Sequence, residues 1–426
     1  MSYSRWRESA GRAIGILLDW SCRVRYEIKV RGLENFTRSP STLVVFNHRR
    51  DADTPIIGSV LFGRKPPWAR DIAPIFIARE DLFRSGFLTH YLQGWPKPVR
   101  KLLYHLNLKP FLWALRAYPM RRIAERTLRE VLEDVLAIFG DLPLSMVLKT
   151  EWVKRFEQLS KPNELPLSIR QVLKDRFEPL LNLGFGLTKL NRSQFRALKP
   201  YEKATIGSQL QLFVEMLDEG EVLQLAPEGA VSRDGHFARI RAGLHVLLNR
   251  PKAPVRVLPV GITYDFMTQD RQWVFVNVGP ELLDLRGLSL SEASSRVTQA
   301  ILAQSTITIS QLASQFILGE RSRGGGYLSR AQLLEHVALE ARRWAEAGLY
   351  VDPRLLTSEG LNRRMDGYLE YCLRSGDLIH QGGESYWMPP PGDQPSPGWA
   401  DPKGALHYTR NELASLTFLL DGCIAR

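Results

Sequence analysis

Between Thr42 and Pro280 short apolar runs recur along the chain, each separated from the next by a longer stretch of helical character. Such alternation buries a sheet against helices, so it restricts this part of the chain to the α/β class. The expected strands are residues 42–46, 75–78, 222–226, 255–264 and 273–278, with a lead-in strand at 26–30 before a turn at Gly32. Pro259 inside the fourth run implies a sheet edge or a bulge there, since proline donates no ladder hydrogen bond.

The region from 123 to 205 reads differently. Its helical stretches, 152–159 and 168–183, are separated by Pro162, Asn163 and Pro166, which suggests an inserted helical subdomain. Trp152, Phe156 and Phe177 with neighbouring lysines are read as a lid or as a surface facing a membrane or carrier. After Pro280 helices return, at 329–347 and 358–375, followed by a hairpin over 377–388 and a proline-rich linker at 389–397 before a last helix near 411–420. The expected organisation is 1–40, 41–285 with the insertion, and a small C-terminal α+β, winged-helix-like domain over 286–426.

At 426 residues and 44% hydrophobic content the chain can bury a large core. Lysine and arginine number 57 against 45 acidic residues, a formal charge of +12 that favours anionic partners. Cys22, Cys372 and Cys423 are far apart, with neither disulfide nor metal-ligand spacing, and suggest a reducing compartment. No apolar run reaches the roughly 18 residues a spanning helix needs, and no signal-peptide pattern opens the chain. Trp6, Ile14, Leu17, Leu18 and Trp20 alternate with Arg5, Arg7, Arg12 and Arg23. That pattern suits either a basic helix lying in a lipid headgroup layer or an ordinary helix packed on the domain. Gly184-Phe185-Gly186 lacks the third glycine of a dinucleotide site, and neither a P-loop nor a Cys/His ligand cluster is present. No cofactor and no metal is expected. No interleaved basic and aromatic pattern marks a recognition helix, so nucleic acid is not an expected partner.

The chemistry-bearing segment is Asn47-His48-Arg49-Arg50-Asp51-Ala52-Asp53, on the turn leaving the strand at 42–46. His48 can take a proton from a hydroxyl, and a carboxylate at its other ring nitrogen fixes the tautomer. No nucleophile elbow accompanies it, so the hydroxyl belongs to a substrate. Further stations follow in chain order. Tyr118-Pro119-Met120-Arg121-Arg122 ends an apolar stretch with two guanidinium groups suited to phosphate. Pro227-Glu228-Gly229-Ala230-Val231-Ser232-Arg233-Asp234-Gly235 follows the strand at 222–226 and offers a carboxylate for a polyol hydroxyl and a cation in Arg233. The fourth is the apolar strand Val257-Leu258-Pro259-Val260-Gly261-Ile262.

Taken together the stations resemble the blocks of the glycerolipid acyltransferase superfamily, the glycerol-3-phosphate and lysophosphatidate acyltransferases. Those blocks are Asn-His-x-x-x-x-Asp, a block ending in arginine, Pro-Glu-Gly-x-x-Ser, and an apolar strand with proline. Arg79-Glu80-Asp81-Leu82-Phe83 also looks like the family's charged segment between the first two. The resemblance covers roughly residues 25–280 and implies a mixed central sheet flanked by helices. It implies His48 as general base, Asp53 rather than Asp51 as its orienting carboxylate, and Arg121, Arg122, Glu228 and Gly229 as binders of glycerol phosphate. It further implies an acyl-CoA or acyl-carrier-protein donor and action at the cytoplasmic membrane face as a peripheral protein. Arg49, Ser232 and Arg233 complete the expected substrate-binding set. Val231 stands where the family usually has arginine, so that cation must come from Arg233, Arg239 or Arg241.

Arg49, the segment Val260-Gly261-Ile262-Thr263-Tyr264-Asp265 and the late segment Leu406-His407-Tyr408-Thr409-Arg410-Asn411 resemble the glycerol-3-phosphate branch. Pro119 and Pro227 look more like the lysophosphatidate branch. Glycerol 3-phosphate is the expected acceptor and lysophosphatidate the alternative. A catalytically silent relative that binds a membrane or carrier is a third reading, which Val231 permits.

Overall fold

The computed structural model describes residues 5–37, 39–62, 74–83, 98–99, 107–121, 126–161, 164–268, 271–390 and 404–424. The chain is an α/β protein with two units, one of residues 1–76 and 214–426, the other of residues 77–213.

Seven strands form the main sheet: β1 (Tyr26–Arg31), β2 (Thr42–Phe46), β3 (Ile75–Arg79), β4 (Ala117–Met120), β5 (Val222–Leu225), β6 (Arg256–Asp265) and β7 (Gln272–Val278). Their order is β1-β7-β6-β2-β5-β3-β4. β2 runs parallel to both β5 and β6, while β6 and β7 are antiparallel, so the sheet is mixed. Leu43, Val44 and Val45 on β2 are fully buried, as befits an interior strand covered on both faces. Each such side chain stabilises the fold by about 1.5–3 kcal/mol relative to exposure.

Pro259 lies on an interior strand, not at an edge. It pairs in register with Val45 on one side, while the antiparallel pairing with β7 begins only at Val260. Its carbonyl accepts from the Gly279 amide at 2.9 Å, beyond the end of β7. In a strand the N–H and C=O of one residue point the same way. The donor that proline lacks would therefore have faced a place where no strand continues.

The first unit's core holds Val44 and Phe46 of β2 together with Ile56 and Ile57 of helix Asp53–Phe62. The same cluster takes in Leu312 of helix Ile309–Ser322, Trp344 of helix Arg330–Glu346 and Tyr368 of helix Ser358–Ser375. Among the later strands, β8 (Thr306–Ile307) pairs with β10 (Tyr350–Val351). Strands β9 (Tyr327–Ser329), β11 (Ile379–Gly382) and β12 (Ser385–Trp387) form an antiparallel sheet ordered β11-β12-β9. The single helix expected near 411–420 is two, Ala405–Ala414 and Thr417–Ile424. The linker at 389–397 falls almost wholly outside the described residues.

The second unit is mostly helical, with its own core of Leu128, Val131, Trp152, Phe156, Phe177 and Phe185. Trp152, Phe156 and Phe177 are therefore core residues of this unit and not an exposed surface facing a membrane or carrier. Trp152 packs edge-on against Phe185 with centroids 5.3 Å apart, and Phe156 lies against Phe177 at 5.4 Å. A body of this size needs an apolar centre of its own, and these rings supply it. The helix expected over 168–183 is broken into Ile169–Val172, a 3-10 turn at Asp175–Phe177, and Glu178–Leu181.

Candidate active site

The parallel strands β2 and β5 are neighbours, and the segments leaving their carboxyl ends are the histidine motif and the Glu228 loop. Crevices at that end of parallel strands are where sites assemble in α/β sheets. Asn47 pins the first segment. Its amide donates to the Ile262 carbonyl at 2.9 Å and accepts from the Ile262 amide at 2.8 Å, continuing the β2–β6 ladder past the end of β2. His48 is held from both sides of its backbone: its N–H donates to Glu228 Oε1 at 2.9 Å and its carbonyl accepts from Ser232 N at 2.8 Å.

Asp53, at the start of helix Asp53–Phe62, is wholly buried. Its Oδ2 lies 2.9 Å from His48 Nδ1 and also accepts from the amides of Arg49 at 2.5 Å and Arg50 at 2.8 Å. Its Oδ1 accepts from Tyr264 Oη at 2.6 Å. A carboxyl group that already accepts from two backbone amides and a tyrosine hydroxyl serves its fourth neighbour as an acceptor too. His48 Nδ1 must therefore be the donor in that contact, which leaves Nε2 as the basic nitrogen. The His48 side chain is 11% exposed, so that nitrogen is screened but reachable. Asp51 is exposed and plays no part in this bond.

Tyr264 is the residue that sequence reasoning missed here. Burial, and next the charge of Asp53, push its hydroxyl well above the usual tyrosine range, so it stays a donor. The Arg50 guanidinium sits 4.8 Å from the centroid of the Tyr264 ring and caps it.

Several residues expected to touch substrate face inward. Glu228 takes backbone donors on both oxygens, His48 N on one and Ala238 N at 2.6 Å on the other. Burial raises its pKa, with Arg49 and these amides opposing. Arg49 is buried, donating to the Gly235 carbonyl at 2.6 Å with its Nε 3.4 Å from Glu412 Oε1. Ser232 closes its own loop, accepting from Gly235 N at 3.0 Å and donating to the His236 carbonyl at 2.9 Å. Gly229, at φ 79°, turns the loop beneath Arg241, whose Nε donates to the Glu228 carbonyl at 3.2 Å. Arg233, Arg239 and Arg241 are exposed on this loop.

Arg121 belongs to the second unit, and Arg122 lies outside the described residues. The Arg121 guanidinium grips Glu80 through two nitrogens, at 2.7 and 3.0 Å, and meets Asp134 at 3.0 Å and Glu202 at 3.4 Å. Although burial works the other way, these carboxylates hold its pKa above the usual arginine range. A phosphate would have to displace them.

No protein-family model matches the chain, and no curated protein matches it. Seven chains among solved structures do match. One is the 1-acyl-sn-glycerophosphate (LPA) acyltransferase PlsC from Thermotoga maritima, 17% identical over 70% of this chain and 80% of that one, with a TM-score of 0.32.

Proposed function

We propose that the chain is an O-acyltransferase moving a fatty acyl group from a thioester, acyl-CoA or acyl-carrier protein, to glycerol 3-phosphate. The observation that carries this reading is the buried Asp53 carboxylate, caged by four donors and holding His48 with Nε2 as base. That nitrogen takes the acceptor's hydroxyl proton as the oxygen attacks the thioester carbonyl. The tetrahedral intermediate collapses, the C–S bond breaks, and the thiolate recovers the proton from His48. The ordered resemblance of the sequence blocks to glycerolipid acyltransferases selects this chemistry over other uses of a histidine–aspartate pair.

In this reading the phosphate's cations are the exposed arginines of the Glu228 loop, which stand in for the arginine absent at Val231. Arg241 is the best anchored of them, through its bond to the Glu228 carbonyl. Charge-assisted hydrogen bonds contribute about 1.5–3 kcal/mol. Arg241→Ala is accordingly expected to raise KM for glycerol 3-phosphate by about tenfold or more while KM for the thioester holds. Equal KM values for variant and parent would remove Arg241 from the acceptor site.

Lysophosphatidate is the second reading, favoured by Pro119 and Pro227. Assaying both acceptors against both donors decides between them. Acylation of lysophosphatidate alone would reject glycerol 3-phosphate, and no transfer from any thioester would favour the silent relative.

The reading extends to a peripheral place at a membrane surface. Helix Arg5–Arg25 packs one side on helix Asp53–Phe62, with Cys22 buried and Ser59 donating to Asp19. Its other side exposes Ile16, Leu17, Trp20 and Val24 at helical spacing, with Trp20 65% exposed, beside Arg12, Arg23 and Arg25. No helix among the described residues is long and apolar enough to cross a membrane. Leu17→Asp with Trp20→Asp is expected to weaken sedimentation with anionic phosphatidylglycerol vesicles by at least tenfold, from about 1.5–3 kcal/mol per apolar side chain lost. Undiminished sedimentation would exclude this face.

A further inference from the structure

The turn that carries the base is braced from far along the chain. Helix Ala405–Ala414 and the residue after it meet the loop 232–237 at two points and the histidine turn at a third. Asn411 donates to the Asp234 carbonyl at 2.8 Å, the Ser415 hydroxyl just past the helix accepts from Phe237 N at 3.1 Å, and Glu412 meets Arg49. At Gly235 the two backbones approach too closely for a side chain. A Cβ there would fall 2.0 Å from the Tyr408 carbonyl oxygen, at a φ of 87° that side chains rarely adopt.

The Glu412–Arg49 contact differs from the other two in being ionic and buried, each side chain only 4% exposed. A buried pair of this kind is poor evidence for stability, because desolvation cancels most of the attraction. Its geometry does more. Arg49 has its guanidinium on Gly235 and its amide on Asp53 Oδ2. Besides His48 itself, Arg49 thus bonds both to the carboxylate that orients the imidazole and to the loop whose Ser232 amide holds the His48 carbonyl. Gln311 of helix Ile309–Ser322 holds the second Glu412 oxygen from behind at 3.4 Å.

We infer that Glu412 is a positioning residue of the His48 site, acting through Arg49 to set the His48–Asp53 hydrogen bond. The inference rests on the acyltransferase reading for its kinetic consequence, but its geometric consequence is read without turnover. Losing the Glu412 charge leaves the Gly235 carbonyl as the hydrogen-bond partner of the Arg49 guanidinium among the described residues. The guanidinium then draws toward the remaining acidic groups, and the Arg49 amide moves against Asp53. Misplacements of this order cost rate far more than they cost substrate affinity.

The test uses the full chain, labelled with ¹⁵N-histidine. Glu412→Gln is expected to shift or broaden the low-field His48 Nδ1–H resonance, with circular dichroism unchanged. It is also expected to lower kcat by roughly tenfold at a KM within about twofold of the parent. Arg49→Lys combined with Glu412→Gln is expected to lose no more than the worse single variant, because both act along one line. A folded Glu412→Gln whose resonance and kcat match the parent overturns the inference, as does a double variant whose losses multiply. If Glu412→Gln does not fold, Glu412→Asp keeps the charge, shortens the reach and is read by the same criteria. If the parent shows no acyl transfer, the resonance alone decides, and the acyltransferase reading fails separately.

Discussion

His48→Ala is expected to cut kcat for acyl transfer by about 10²–10⁴-fold, the usual contribution of a positioned general base. KM for both substrates and the melting temperature are expected to stay near the parent values. The loss is large because none of the described carboxylates beside His48 can replace it. Asp53 is saturated with four donors, both Glu228 oxygens hold backbone amides, and Asp51 faces solvent. Stability is spared because the motif is held mainly through backbone atoms and the Asn47 amide rather than through the imidazole. Continuous measurement of thiol release gives the rate directly. Transfer that survives the change at more than a tenth of the parent rate would show that another group is the base.

Asp53→Asn is expected to be as damaging to the rate, about 10³–10⁴-fold, and to destabilise the protein as well. The two Asp53 oxygens accept from His48, two backbone amides and Tyr264. An asparagine has one acceptor oxygen and must turn its NH₂ toward donors on one side. If it faces Tyr264, a buried hydroxyl loses its acceptor. If it faces His48, the ring is driven to the tautomer that puts a proton on Nε2 and removes the base. Each unsatisfied buried group costs about 1–3 kcal/mol, so chemical denaturation is expected to report a loss in that range. Tyr264→Phe removes one donor and leaves the ring contact of Asp53 untouched, so its rate loss should be far smaller. Equal losses for the two variants would mean that the carboxylate matters for packing and not for the tautomer.

The strands were legible because an interior parallel strand must be apolar on both faces, and the run from Thr42 to Phe46 has no other use for such residues. β4 escaped notice because it has only four residues and contains a proline. The His48–Asp53 pair was legible because five residues of one turn span it. What sequence spacing leaves open is which way a polar side chain turns. Glu228, Arg49 and Ser232 carry the right chemistry for a substrate but bond backbone groups of the histidine turn and of the loop 228–238. Arg121 likewise meets carboxylates brought from Glu80, Asp134 and Glu202, which no local pattern links to it. Trp152, Phe156 and Phe177 looked like surface aromatics because the core they form is closed by residues scattered from Leu128 to Leu198. Tyr264 lies in one of the segments that resemble the glycerol-3-phosphate branch and Glu412 just past another, but neither carries a signal that ties it to the His48 turn. Each acquires its role only when β6 or the helix Ala405–Ala414 is laid beside the turn.

The brace from that helix has a consequence for the chain as it is made. Every strand of the seven-stranded sheet leaves the ribosome before residues 405–415 do. A nascent polypeptide can assemble its sheet and present the imidazole while the loop 232–237 still lacks its outer support. Competence for chemistry would then lag behind collapse, and a growing chain beside a pool of reactive thioesters would stay inert until that helix docks.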